Sequence, residues 1–123
     1  MGPIYSQLGL FNSQSRSNIN TSVTSIVGVS QTNFILANGA NIFNDITYLK
    51  FVSNAGFPIK LDLRDTISGT VIDKFILPAS GTFTQSYIIP IKQTTANTTW
   101  TLSASTADAT NFVTAFAQTL KNS

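Results

Sequence analysis

The chain has 123 residues, the size of one ordinary domain, with 42% hydrophobic residues but only 10% charged ones, well below the usual quarter or so. Its net charge of +2 comes from seven Lys and Arg set singly along the sequence, which argues against a nucleic-acid face, since that needs clustered basic side chains. His, Cys and Glu are all absent, which removes the common general bases, the thiol nucleophile and any disulfide framework, so the chain reads as a non-enzyme needing no cofactor.

Residues 1–22 (MGPIYSQLGLFNSQSRSNINTS) open with apolar residues and pass into a polar tract without a period. The start lacks a basic region and a long apolar core, so it does not read as a signal peptide. Gly2 is followed by Pro3, which spoils a myristoylation signal. No apolar run approaches the ~18 residues a membrane helix needs, so no membrane partner is expected. The segment reads as an N-terminal arm, with 23–123 as the folded domain. Ile4, Tyr5, Leu8, Leu10 and Phe11 are its candidate anchors on a neighbouring subunit, and the arm could reach ~70 Å if fully extended.

From Ser22 the composition turns β-branched and apolar. Ser22–Ser30 and Thr32–Ala37 read as strands, and Asn38-Gly39-Ala40-Asn41 as a turn. Ile46–Val52 follows, with Leu49 and Phe51 on one face and Tyr48 and Lys50 on the other. Phe57–Leu63 alternates strictly: Phe57, Ile59, Leu61 and Leu63 form a dry face, Lys60, Asp62 and Arg64 a wet one. Val71–Leu77 ends at Pro78, which cannot donate to a ladder. Thr82–Ile91 alternates with Phe83, Tyr87 and Ile89 on one side, and its Pro90 marks an edge or a strand end. Thr98–Ser103 carries the single Trp. Asn111–Leu120 fits helical and strand spacing about equally, and Thr106-Ala107-Asp108-Ala109 could cap a helix. The spacing of the earlier strands favours reading it as a strand. The fold class is all-β: an antiparallel β-sandwich, jelly-roll or Ig-like.

The five acids are Asp45, Asp62, Asp65, Asp73 and Asp108. Asp62 and Asp65 flank Arg64 at a strand-to-turn corner, where a local ion pair and a turn cap are expected. A Ca²⁺ site there would need a fuller set of oxygen ligands, and the spacing matches no loop of that kind, so no metal is expected. Tyr48, Tyr87 and Trp100 are the candidate glycan-stacking rings, against the plainer reading of Trp100 and most Phe as core. The sequons at Asn20 and Asn97 read as chance matches.

From Ile46 onward, over a little over half of the chain, the pattern resembles that of small β-sandwich virion proteins of tailed bacteriophages. The residues that carry it are Leu63-Arg64-Asp65, Leu77-Pro78-Ala79-Ser80-Gly81, Thr95-Ala96-Asn97-Thr98 and Leu102-Ser103-Ala104-Ser105. The resemblance implies a virion structural role on the capsid surface, in the first place capsid decoration (cement). The partners would be the major capsid protein and copies of the chain itself, for instance as a trimer. The alternatives are a carbohydrate-binding or receptor-binding module of a fibre or tail, and a head-to-tail or tail-tube component.

Overall fold

The computed structural model describes residues 19–123. They form eight strands: β1 (Ile19–Ile26), β2 (Thr32–Ile35), β3 (Phe43–Ser53), β4 (Ile59–Arg64), β5 (Val71–Leu77), β6 (Thr82–Ile91), β7 (Trp100–Ala104) and β8 (Val113–Asn122). Two four-stranded sheets pack face to face, in the orders β1-β8-β3-β6 and β2-β7-β4-β5. Within these orders β1 lies beside β8, β2 beside β7, β3 beside β6 and β4 beside β5. The chain therefore behaves as one long hairpin, turned at β4–β5 and wrapped on itself, which is the jelly-roll form of the sandwich rather than the Ig-like one.

Alternation places the core. Ile59, Leu61 and Leu63 of β4 point inward and are fully buried, as are Leu49 and Phe51 of β3. Phe57, expected beside Ile59, lies ahead of the strand and is partly exposed. Phe51 joins the two sheets, with its ring 5.0 Å from Phe75 and 5.8 Å from Phe83. Each such ring buried contributes roughly 1.5–3 kcal/mol before ordering entropy.

Two segments depart from the sequence reading. β1 begins at Ile19, inside the segment assigned to the arm, because Asn20, Thr21 and Ser22 pair with Thr119, Gln118 and Ala117 of β8. These residues read as unstructured because the strand has only one dry residue, Ile26. In β6, alternation puts Ile89 on the same side as Phe83 and Tyr87, which pack against the core, yet Ile89 is 80% exposed. The pairing jumps from Ile46↔Ile91 to Tyr48↔Ser86, so Tyr87–Pro90 bulge out opposite Thr47 and lose the period of two. Residues 113–122 form a strand, the reading favoured from the sequence. The Asp108 carboxylate does act like a cap, accepting bonds from the Thr110 and Asn111 amides at 2.8 and 2.7 Å, but a strand follows. These amides, Asn111 first, hold its carboxyl below the usual carboxylate range.

The turns carrying the phage-like motifs are structural. Gly81 donates to the Pro78 carbonyl at 3.0 Å, and a Cβ there would fall on the Pro78 ring and 2.9 Å from that carbonyl oxygen. One inward group is less well served: the hydroxyl of Thr119 in β8 is buried without a partner among the described residues. Thr119→Val should therefore raise stability by about 1 kcal/mol, because a buried unpaired hydroxyl is replaced by a methyl of similar shape. A urea midpoint equal to or below that of the parent would show that the hydroxyl has a partner after all.

Candidate functional site

The acids do not assemble a reactive centre. Asp62 faces Lys74 at 3.9 Å across β4–β5, not Arg64 as the sequence suggested. Arg64 instead donates to the Gly69 carbonyl and the Ser103 hydroxyl, both at 3.0 Å. Register explains the exchange, since Arg64 lies opposite Thr101 on β7 while Asp62 lies directly opposite Lys74. Asp65 is buried and accepts from the Thr94 amide at 3.1 Å and from the Thr94 hydroxyl. That bond ties the corner after β4 to the β6–β7 connection. Asp45, also buried, accepts from the Gln93 amide at 2.9 Å and from the Asn122 side chain. Among the described residues no three side chains of the metal-binding types cluster.

The three candidate aromatic rings part company. Trp100 is fully buried and its Nε1–H donates to the Asn44 carbonyl at 2.7 Å, so it has no face to offer a sugar. Tyr87 is half-buried, packed against the core from β6. Burial, and then the nearby Asp73 carboxylate, push its phenol above the ordinary range. Tyr48 alone stands on an outer face, in the middle of the first sheet. The arm anchors Ile4, Tyr5, Leu8, Leu10 and Phe11 lie outside the described residues.

That outer face is the most distinctive surface. Its strands are held flat against the core by Leu49, Phe51, Ala115 and Ala117, so the intervening side chains point outward. Three cross-strand rows follow from the register. One contains Ser25, Thr114, Val52 and Thr82; the next Val23, Phe116, Lys50 and Thr84; the third Thr21, Gln118, Tyr48 and Ser86. Lys50 is the single charge in these rows, and its ammonium lies 5.4 Å from the centre of the Phe116 ring. Cation–π contact of this kind keeps the charge close to the sheet. Val23 is 64% exposed, and a shallow depression of about 390 Å³ opens between Val23, Tyr48, Phe116 and Gln118.

The second sheet is different. Its outer side carries Lys60, Asp62, Arg64 and Lys74, so three of the seven basic residues share one side of the sandwich. At the β6 edge the bulge also projects Ile88, which is fully exposed, next to Ile89 and Pro90. Sequence reading missed Val23, Val52 and Phe116 as surface residues. Val23 and Phe116 pair with each other and Val52 lies opposite Thr114 and Thr82, so their shared face shows only once the pairing register is known.

No family model matches the chain, and no curated protein matches it. Among solved structures it is similar to a chain of Bacillus endospore appendages, described as forming a novel family of disulfide-linked pili. The identity is 12%, the match covers 86% of this chain and 88% of that chain, and the TM-score is 0.48.

Proposed function

We propose that this chain is a non-enzymatic structural subunit that packs against other protein subunits through the outer face of its first sheet. The observation that carries the reading is the segregation of charge. Three rows of that face hold one charged side chain among Val, Tyr, Phe, Thr, Ser and Gln, while β4 and β5 of the opposite sheet carry five charged residues, Lys60, Asp62, Arg64, Asp73 and Lys74. Charges are costly to desolvate and are depleted at the centres of interfaces, where aromatic residues are enriched. The exposed Ile88-Ile89-Pro90 projection adds an apolar contact at the sheet edge. The absence of His, Cys and Glu and the engagement of Asp45, Asp62 and Asp65 in structural contacts support a role without catalysis.

The finer form of this reading is a capsid decoration protein on a virion surface, with the major capsid protein and copies of itself as partners. It draws on the resemblance carried by the turns around Asp65, Gly81 and Asn97. The Bacillus appendage chain is described as part of disulfide-linked pili; this chain has no cysteine and would assemble without such links.

Val23→Asp tests the face. Val23 is exposed, so the fold should change by no more than about 0.5 kcal/mol. Association with copies or with a capsid lattice should weaken at least about tenfold, the equivalent of ~1.4 kcal/mol. Light scattering over a concentration series and co-sedimentation with capsids read the two arms. A parent protein that stays monomeric at high concentration and binds no capsid removes the reading. A second reading is favoured by Tyr48 alone: a half-exposed ring beside Gln118 over the shallow depression could stack a sugar. Glycan binding lost in Tyr48→Ala with an unchanged melting curve would select it.

A further inference from the structure

The two sheets leave four strands at their edges, β1 and β6 in the first and β2 and β5 in the second. An open edge is a template for pairing with another strand, and folded proteins blunt it with charges, proline, bulges or brevity. Three of the four are blunted. β2 has four residues and a register break between Asn33 and Ile35. β5 carries Asp73 and Lys74 and pairs through a bulge at Leu63/Arg64. β6 contains Pro90 and the four-residue bulge Tyr87–Pro90. β1 has none of these devices. Its eight residues, INTSVTSI, pair with β8 in unbroken register, without charge or proline, and its other edge has no partner among the described residues.

Below that edge the sandwich gapes. A cleft of about 400 Å³ runs between β1 and the end of β2, where the half-buried Asn20 and Ser22 face Phe34, Leu36 and Asn38. Leu36 is 65% exposed there. A strand added beside β1 would roof this cleft, provided that its inward residues were apolar.

We propose that the chain's own residues Ile4–Phe11 are that strand, laid antiparallel on the free edge of β1 as a ninth strand. Eighteen residues lie outside the described structure, and they enter it at Ile19, the first residue of β1. Pairing Phe11 with Ile19 and Ile4 with Ile26 leaves Asn12–Asn18, seven polar residues (NSQSRSN), as the hairpin connection. Directly opposed residues in an antiparallel pair share a face. This register therefore puts Ile4, Ser6, Leu8 and Leu10 on the inward face, opposite Ile26, Thr24, Ser22 and Asn20. Three of the four inward residues are apolar, and two of them, Leu8 and Leu10, meet the cleft opposite Ser22 and Asn20. Tyr5, Gln7, Gly9 and Phe11 continue the outer face beside Ser25, Val23, Thr21 and Ile19.

The tether decides the donor. A short connection gives an effective concentration in the millimolar range, so the chain's own segment reaches the edge ahead of one from another copy at ordinary protein concentrations. The anchors expected on a neighbouring subunit are then used inside the same molecule, and the edge most prone to aggregate is closed.

Hydrogen exchange on the full chain reads the pairing. The alternate β1 amides that do not bond to β8 should exchange slowly. In the Leu8→Asp/Leu10→Asp variant they should exchange at least about tenfold faster, while the amides of Ile59–Arg64 stay unchanged. The donor is read separately by Gly9→Cys with Thr21→Cys, since the chain has no other cysteine. At low micromolar concentration, oxidation should give a monomeric disulfide. Fast exchange of those β1 amides in the parent, or protection that survives Leu8→Asp/Leu10→Asp, overturns the added strand. Disulfide-linked dimers overturn its origin in the same chain.

Discussion

Trp100→Ala should unfold most of the protein in mild denaturant, with a loss of about 4–8 kcal/mol in urea titration against a typical domain stability of about 5–15 kcal/mol. Two costs combine. The indole is fully buried at the start of β7, so its removal leaves a cavity, and Trp→Ala changes in such positions cost about 3–5 kcal/mol. The Asn44 carbonyl, which accepts the indole N–H at 2.7 Å, is also left without a partner in the interior, a further penalty of about 1–3 kcal/mol. Trp100→Phe separates the two, because it keeps most of the apolar area and loses only the hydrogen bond; it should cost about 1–3 kcal/mol. A loss below about 2 kcal/mol for Trp100→Ala would mean that the ring does not fill the core as described. The result also bears on function. Sugar binding lost in Trp100→Ala would report an unfolded protein rather than a missing stacking platform.

Alternation was legible in β4, which has one fully dry face at Ile59, Leu61 and Leu63. β5 and β6 keep the bounds expected from sequence although neither has such a face, because Pro78 and the Ala79-Ser80-Gly81 turn set the break between them. The signal failed where burial is partial or pairing is irregular. β1 presents half-buried Asn20, Ser22 and Thr24 inward, so its first residues carry no apolar period and read as arm. Ile89 obeys a period of two in sequence, but the bulge against Thr47 turns it outward. Residues 111–120 fit helical and strand spacing about equally; the strand reading rests on the spacing of the earlier strands, and pairing with β1 and β3 across long sequence separations bears it out. Strand order has the same origin: β8 lies between β1 and β3 because the long hairpin wraps, and no local residue pattern encodes the wrap. The candidate face was hidden for this reason too. Val23, Lys50 and Phe116 are far apart in sequence and become one row only through register.

The least legible feature is also among the most consequential. The tract Gln93–Asn97 (QTTAN) has the composition of a polar connection, yet Gln93 is buried and its side chain joins three parts of the fold. Its Oε1 accepts the Asn44 amide of β3 at 2.8 Å; its Nε2 donates to the Thr98 carbonyl at 3.0 Å and to the Asp65 carbonyl at 3.3 Å. Gln93→Leu should therefore cost about 2–4 kcal/mol, because it strands the Asn44 N–H and the Thr98 carbonyl at roughly 1–3 kcal/mol each, with partial relief by relaxation, while the Asp65 carbonyl keeps the Thr98 hydroxyl at 2.9 Å. Gln93→Glu tests the mechanism more sharply. The new carboxylate keeps an oxygen for Asn44 but turns its second oxygen toward carbonyls that need a donor. Protonation restores that donor, so the folded state holds the proton more tightly than the unfolded chain and the variant's carboxyl is raised. Its stability is then fully present below the unfolded carboxyl range and lost as pH rises through the raised folded value. Urea midpoints for Gln93→Glu should fall with increasing pH, relative to the parent, across the carboxyl range. A flat difference would mean that the side chain has turned out to water. The two sites are also coupled, since Gln93 and Trp100 hold the amide and the carbonyl of the same residue, Asn44. Gln93→Leu combined with Trp100→Phe should consequently lose less than the sum of the single changes, by at least about 0.5 kcal/mol. Strict additivity would place the two contacts in separate, independent parts of the core.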